Sequence, residues 1–129
     1  MQTVKSIMSK EIEKVNIDDS VKDVAKTMAT KKIGSVLVEH NGNLIGIITE
    51  TDIVRKVVGQ DMSLQDTIAS KIMNSPILTV DAEASILDAN DTMDKHNIRH
   101  LAVSEEGAIV GVISVRDLIH PMNLNEEPY

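Results

Sequence analysis

The chain has 129 residues, a formal net charge of −7 and no cysteine, and Tyr129 is its only aromatic residue. The missing cysteines exclude disulfides, thiolate catalysis and cysteine-ligated metals, and an acidic chain without stacking aromatics is a poor nucleic-acid binder. The N-terminus is too polar for a signal peptide and no apolar run approaches the roughly 18–20 residues that span a bilayer, so we expect a cytoplasmic protein with no membrane partner.

The sequence repeats itself without a gap at a spacing of 65 residues. Identical residues recur at this spacing, among them the pairs Ile7/Ile72, Met8/Met73, Ser20/Ser85, Gly46/Gly111 and Asp52/Asp117. Such regularity indicates a duplicated structural unit. We predict a first repeat at residues 4–59, a connecting segment at 60–70, a second repeat at 71–122 and a tail at 123–129.

Each repeat has the same order of predicted elements. An extended segment (12–17; 77–80) precedes a helix, whose starts at Ser20 and Ser85 are followed three residues later by aspartate, the pattern of a capping box. A hairpin of two β-rich runs follows (35–38 with 44–49; 100–103 with 109–114). A second helix then starts near residues 51 and 116 and ends by Gly59 and at Pro121. The order in each repeat is therefore β-α-β-β-α.

The repeat length also bears on stability. A unit of roughly 55 residues buries too little apolar surface to be stable alone. We therefore predict an α+β fold in which the two repeats pack as a pseudo-twofold pair.

One motif occurs once per repeat, at the predicted junction between the last strand and the second helix. It consists of glycine, two β-branched residues, a hydroxyl residue, two variable residues and aspartate, at 46–52 and 111–117. The motif is also compatible with an ordinary helix cap. However, glycine inside a strand often marks the close approach of a ligand or of backbone, and a helix N-terminus favours phosphate. Because aspartate can accept hydrogen bonds from both vicinal hydroxyls of a ribose, the pattern favours nucleotide binding over catalysis.

The order and duplication of these features resemble the CBS-domain family, over residues 4–122. The resemblance rests on the two motifs, the doubled element pattern, the two Ile-Met pairs and the segment 98–101. It implies a pair of CBS repeats, or Bateman module, with a regulatory rather than enzymatic role. It further implies clefts between the repeats that bind AMP, ADP or ATP, with S-adenosylmethionine less favoured, and a homodimer of such pairs.

The same resemblance implies a set of site residues. Asp52 and Asp117 would hold ribose hydroxyls. Positions near the phosphate or ribose would be Thr49, Thr51, Ser114, Arg116, Arg99 and His100, and the adenine pocket would be lined by Val15, Asn16, Ile77 and Thr79. Because the basic pair at 99–100 corresponds to Gly34 and Ser35 in the first repeat, the two clefts are predicted to differ, with the cleft of Asp117 favoured.

Two alternatives remain open at this point. The repeats could form an assembly domain that binds no nucleotide and acts through a separate protein partner. An enzyme is disfavoured, because the sequence contains no nucleophile elbow, no phosphate-binding loop and no paired carboxylates outside the helix starts. His96 and His100 have a spacing that suits a metal on a helix, but no third ligand is near, so neither a metal nor a required cofactor is predicted.

Overall fold

The computed structural model of the chain describes the backbone of residues 2–123 and the side chains up to Ile119. Most of the predicted tail, residues 124–129, lies outside the described residues. The first repeat contains helix α1 (Val4–Ile7), strand β1 (Lys14–Asn16), helix α2 (Val21–Lys31), strands β2 (Ser35–His40) and β3 (Asn43–Thr49), and helix α3 (Glu50–Asp52). The second contains α4 (Ala69–Ile72), β4 (Thr79–Asp81), α5 (Ile86–His96), β5 (His100–Glu105), β6 (Ala108–Ser114) and α6 (Val115–Asn123).

The strands form two three-stranded sheets with the same topology. In each sheet the short first strand runs parallel to the middle strand, and the last two strands form an antiparallel hairpin. The predicted β-α-β-β-α order and the α+β class are therefore confirmed. Within the residues described, no helix is long and apolar enough to cross a bilayer.

The last helix of each repeat differs from its prediction. After α3, the chain continues as a π-helical turn (Ile53–Val57) and a 3-10 turn (Val58–Gln60) rather than as one regular helix. The predicted stop at Pro121 is wrong, because α6 extends to Asn123. A proline deprives a helix of one N–H bond, and here the helical backbone extends two residues beyond it.

The compact units of the structure do not coincide with the sequence repeats. Glu13–Ile77 form one unit, which we call the contiguous unit, and residues 2–12 join residues 78–123 in the other, which we call the composite unit. Helix α1 is tied into the composite unit because the N–H of Val4 donates to the carbonyl of Ala84 (2.8 Å). Helix α4 is tied into the contiguous unit in the same way, since the N–H of Ala69 donates to the carbonyl of Asp19 (2.8 Å). Each unit thus takes its small helix from the opening of the other repeat.

Each unit has its own aliphatic core, as the near-absence of aromatic residues requires. The contiguous unit buries Val21, Val24, Met28, Val36, Val38, Ile48, Val57 and Ile72, among others. The composite unit buries Val4, Val80, Ala89, Met93, Leu101, Val103, Ile113 and Leu118. Branched aliphatic residues suit strands and methionine fills irregular gaps. Helix α2 therefore packs on the first sheet, and α5 on the second, through aliphatic side chains alone.

Capping fixes where the longer helices begin. In α5 the Ser85 hydroxyl accepts from the N–H of Asp88 (3.1 Å) and the Asp88 carboxylate accepts from the N–H of Ser85 (3.5 Å), which confirms the predicted capping box. In α2 only half of the predicted box forms. The Ser20 hydroxyl accepts from Asp23 (3.1 Å), while the exposed Asp23 carboxylate makes no return bond to the described residues; water can satisfy it instead.

Candidate ligand site at the strand-to-helix junctions

The motif at 46–52 lies where β3 ends and α3 begins, and its hydroxyl and carboxylate form a capping box. The N–H of Thr49 donates to Oδ2 of Asp52 (2.8 Å), and the N–H of Asp52 donates to Oγ1 of Thr49 (3.3 Å). The first helical N–H, that of Glu50, donates to the carbonyl of Gly34 (3.1 Å). The motif therefore serves the helix start in this repeat, as an ordinary cap would.

Asp52 has further partners that the motif did not predict. Lys56 Nζ lies 3.1 Å from Oδ1 of Asp52, and the Asn74 side-chain amide donates to Oδ2 (2.8 Å). Lys56 Nζ also donates to the carbonyl of Ile72 (2.9 Å) and to Oδ1 of Asn74 (3.0 Å). Asp52 is only 6% exposed. A buried carboxylate needs such partners. Asp52, Lys56 and Asn74 therefore form one hydrogen-bonded cluster, which we call the lysine lock.

The motif at 111–117 also joins its hydroxyl residue to its aspartate, but with a different set of bonds and different surroundings. The N–H and the hydroxyl of Ser114 both donate to Oδ2 of Asp117 (2.8 and 3.2 Å). Among the described residues, no group donates to Oδ1 of Asp117, and no cation lies within ion-pair distance of it. The positions equivalent to Lys56 and Asn74 are Pro121 and Ser9, neither of which offers an ammonium or an amide.

Basic side chains accompany the motif of the composite unit only. The N–H of Val115 donates to the carbonyl of Arg99 (2.9 Å), which holds Arg99 beside the start of α6. His100 pairs directly opposite Ser114 in the hairpin register. Arg99 and Arg116 are exposed and form no ion pair with the described residues. The composite unit thus brings Arg99, His100, Ser114, Arg116 and Asp117 to one strand-to-helix junction, which we call the α6 junction.

The motif glycines are required by packing of the protein on itself. A Cβ at Gly46 would lie 2.6 Å from Sδ of Met73, and a Cβ at Gly111 would lie 2.6 Å from Sδ of Met8 and 2.8 Å from the carbonyl oxygen of Ser9. The approaching residues follow directly after α1 and α4: Met8 and Ser9 at Gly111, and Met73 at Gly46. From the sequence, these glycines could have indicated the close approach either of a ligand or of the protein's own chain. The contacts with Met73, Met8 and Ser9 explain both glycines without a ligand.

The remaining predicted site residues have varied surroundings. Thr51 is exposed at the start of α3, and Val15 is buried in the core of the contiguous unit. The side-chain oxygen of Asn16 accepts from the N–H of Asp18 (3.1 Å), so this residue shapes the turn before α2. Ile77 is half-buried at the end of the contiguous unit, and Thr79 is exposed on β4. The part of the chain that the structure describes contains no cluster of three or more histidine and carboxylate side chains that could hold a metal.

Lys56 and Asn74 are the site residues that sequence reasoning missed. Both lie outside the repeated motif, and neither is matched at the equivalent position of the other repeat. The sequence did contain a signal for Lys56. This lysine lies four residues after Asp52, a spacing that allows contact on a helix, and the equivalent position of the second repeat is not a lysine.

Two tandem α+β repeats, each with a motif aspartate at a strand-to-helix junction, define a duplicated module. A family model for the CBS domain matches the chain twice, over residues 4–59 and 69–123. The chain therefore belongs to the CBS-domain family and carries that domain in tandem.

Relatives place the chain within this family at moderate identity. CBSX3, a mitochondrial CBS domain-containing protein of Arabidopsis thaliana, is 34% identical over 107 residues, which cover 79% of this chain and 52% of that protein. The chain spans about half or less of the length of the first curated relatives it matches.

Solved structures agree with the fold. A protein with CBS domains from Burkholderia ambifaria superposes with a TM-score of 0.94 at 33% identity, with 99% of this chain and 98% of that chain covered. The CBS domain pair of protein MJ0100, solved in complex with 5-methylthioadenosine and S-adenosyl-L-methionine, superposes with a TM-score of 0.83 at 24% identity, with 95% and 96% covered. At that identity the second similarity shows the fold alone.

Proposed function

We propose that the chain is a regulatory module that binds an adenine nucleotide (AMP, ADP or ATP) at the α6 junction. The observation that carries this proposal is the carboxylate of Asp117, which uses one oxygen to cap α6 and leaves the other without a partner among the described residues. That oxygen can accept two hydrogen bonds, which suits the vicinal hydroxyls of a ribose. The CBS domain pair of MJ0100, whose fold this chain shares, was solved with two adenosine derivatives, which makes adenosine compounds the first ligands to test.

The charges of the α6 junction favour an anionic ligand. The guanidinium groups of Arg99 and Arg116 have no carboxylate partner among the described residues, and guanidinium groups bind phosphate in a bidentate manner. At the start of α6 the N–H of Val115 already donates to the carbonyl of Arg99, and the next N–H groups of the first turn, those of Arg116 and Asp117, can donate to phosphate oxygens. S-adenosylmethionine, which carries a positive sulfur and no phosphate, fits this set less well. Ile77, Thr79, Val15 and Asn16 remain the proposed adenine-pocket positions.

Ligand-dependent unfolding temperature tests this proposal. With ligand at about 100 times its dissociation constant, binding adds roughly 2.7 kcal/mol to the free energy of unfolding, which raises the melting temperature of a domain this size by several degrees. We expect this rise with AMP, ADP or ATP and a smaller one with S-adenosylmethionine and GMP. In Asp117→Asn the rise should fall to about half or less, because an amide has a single acceptor oxygen, which cannot serve both the N–H of Ser114 and two ribose hydroxyls.

Asp88→Asn is the matched control, because Asp88 caps α5 of the same unit as Asp117 caps α6. This variant should lower the melting temperature slightly and keep the full ligand-induced rise. If no adenine nucleotide shifts the unfolding temperature of the wild-type chain, the nucleotide proposal is wrong, and the assembly alternative takes its place.

The proposed mechanism is thermodynamic linkage without catalysis, resident cofactor or metal. A ligand that binds one conformation more tightly shifts the population towards it, and the same coupling acts on a protein partner that distinguishes the conformations. We propose a separate effector protein as that partner, and a cytoplasmic location as the sequence predicted.

We also propose that the chain forms a homodimer. A homodimer is expected both for a nucleotide-binding module and for an assembly domain that binds no nucleotide. The support is a pair of exposed apolar side chains on the segment after α3, where Val54 is 60% and Val58 is 58% exposed. Their spacing of four residues places them on one face of a helical segment. Contiguous exposed apolar surface commonly marks a protein interface.

Substitution of both valines by aspartate should therefore shift the chain towards monomer. We expect Val54→Asp/Val58→Asp to raise the dimer dissociation constant at least tenfold in sedimentation equilibrium. A Gln60→Asp/Gln65→Asp variant adds the same charge at exposed positions nearby and should leave the constant unchanged. An unchanged dimer in the valine variant would place the interface elsewhere.

A further inference from the structure

The two motif aspartates differ in how many hydrogen bonds they can still accept. A carboxylate offers about four acceptor positions. Asp52 already has four contacts, from the N–H and hydroxyl of Thr49, from the amide of Asn74 and from the ammonium of Lys56, at 2.8–3.1 Å. Three of these contacts are to Oδ2, and the ammonium of Lys56 takes one of the two acceptor positions of Oδ1. Both vicinal hydroxyls of a ribose could therefore bind Oδ1 only if the ammonium of Lys56 were displaced.

Lys56 is equally well satisfied within the contiguous unit. Its ammonium can donate three hydrogen bonds, and three oxygens surround it: Oδ1 of Asp52 (3.1 Å), the carbonyl of Ile72 (2.9 Å) and Oδ1 of Asn74 (3.0 Å). Displacing this ammonium would leave a buried carboxylate without its cation, which is costly. Three contacts therefore hold the ammonium of Lys56 beside Asp52, and the loss of one would not release it.

The composite unit has the opposite arrangement. Asp117 accepts only two hydrogen bonds from the described residues, both on Oδ2. The equivalents of Lys56 and Asn74 are Pro121 and Ser9, and the equivalents of Gly34 and Thr51 are Arg99 and Arg116. In the first repeat the motif aspartate thus has four partners, one of them a lysine, and the positions of the two arginines are Gly34 and Thr51. In the second repeat the motif aspartate has two partners among the described residues, and both of those positions are arginine.

We infer that the two repeats have divided roles: the lysine lock closes the motif of the contiguous unit to ligand, and nucleotide binds through the α6 junction alone. This inference rests on the proposed function, because it assigns that function to one of the two motifs. It predicts one nucleotide per chain, although the motif occurs twice.

Isothermal titration calorimetry of the full chain with AMP, ADP and ATP measures this stoichiometry. We expect one site per chain. Asp52→Asn should keep the affinity within about twofold, whereas Asp117→Asn should weaken it at least roughly tenfold, as expected for the loss of hydrogen bonds to a charged group. Circular dichroism checks that each variant is folded. If Asp52→Asn does not fold, the amide chemical shifts of the wild-type chain, described next, decide the question.

Amide chemical shifts of the wild-type chain provide a readout that needs no variant. Titration with the same nucleotide should shift the amides of residues 112–118 and leave those of residues 47–53 in place. Two equivalent sites per chain, equal sensitivity to the two aspartate substitutions, or shifts in both motifs would each overturn the lock inference while leaving nucleotide binding intact. No binding by the wild-type chain would overturn the proposed function itself, and the inference with it.

Discussion

Ile72→Ala is expected to destabilise the contiguous unit, although Ile72 belongs to the second sequence repeat. Its side chain is 2% exposed and packs in the core of residues 13–77. Removing three buried carbons from such a site costs about 3 kcal/mol, through lost transfer free energy and the cavity that remains. Native-state hydrogen exchange should therefore show reduced protection of β2 and β3.

Ile113→Ala is the matched control for this prediction. Ile113 is 1% exposed, is the same residue type and lies in the same sequence repeat, but it packs in the core of the composite unit. Its substitution should reduce the protection of β5 and β6 instead. If both variants reduce protection in the same strands, the compact units are not the cooperative units of unfolding.

Gly111→Ala should destabilise the chain more than Gly46→Ala does. At Gly111 the added Cβ meets the carbonyl oxygen of Ser9 at 2.8 Å. That backbone cannot retreat freely, because Ser9 and Val112 exchange two backbone hydrogen bonds of 2.9 and 3.0 Å. Overpacking of this kind costs about 2 kcal/mol, and its effect appears as a lower midpoint of urea unfolding.

At Gly46 the three nearest atoms all belong to the side chain of Met73, which can change rotamer more cheaply than backbone can move. We expect a cost of about 1 kcal/mol for Gly46→Ala, and a Met73→Ala background should remove most of it. Met8→Ala should not rescue Gly111→Ala fully, because the Ser9 contact remains. Equal costs at the two glycines, or full rescue by Met8→Ala, would contradict this account.

Much of the fold could be predicted because its signals are local and occur twice. Paired β-rich runs placed the hairpins, and a hydroxyl residue followed three residues later by aspartate placed the starts of α2 and α5. The repeat spacing transferred each assignment to the other half. The π-helical turn after α3 could not be predicted, because one extra residue in a helical turn leaves no mark in the apolar pattern.

The exchange of α1 and α4 could not be predicted for a different reason. Each helix has only four residues, too few for a periodic pattern to indicate which sheet it covers. Their place depends on long-range contacts, such as the burial of Val4 against the strands of the composite unit. Sequence repetition identifies equivalent segments but not which copy of the core each segment joins.

Contacts between distant residues also limited what could be predicted of the candidate site. The motif indicated the correct helix starts, and the basic residues at 99, 100 and 116 indicated which junction would suit phosphate. The partners of Asp52 were not predictable, because they include Asn74 and a lysine held by the carbonyl of Ile72, both distant in sequence from the motif. A cluster that joins two distant segments becomes visible only in the folded chain.

The exchanged opening helices also set an order in which the chain can fold as it is made. All residues of the contiguous unit lie between 13 and 77, so this unit can close once that stretch has been synthesised. The composite unit joins residues 2–12 to residues 78–123 and must close a far longer loop, which slows folding. Helix α1 is synthesised before the contiguous unit and must therefore wait for β5 and β6, with Val4 uncovered until these strands are made.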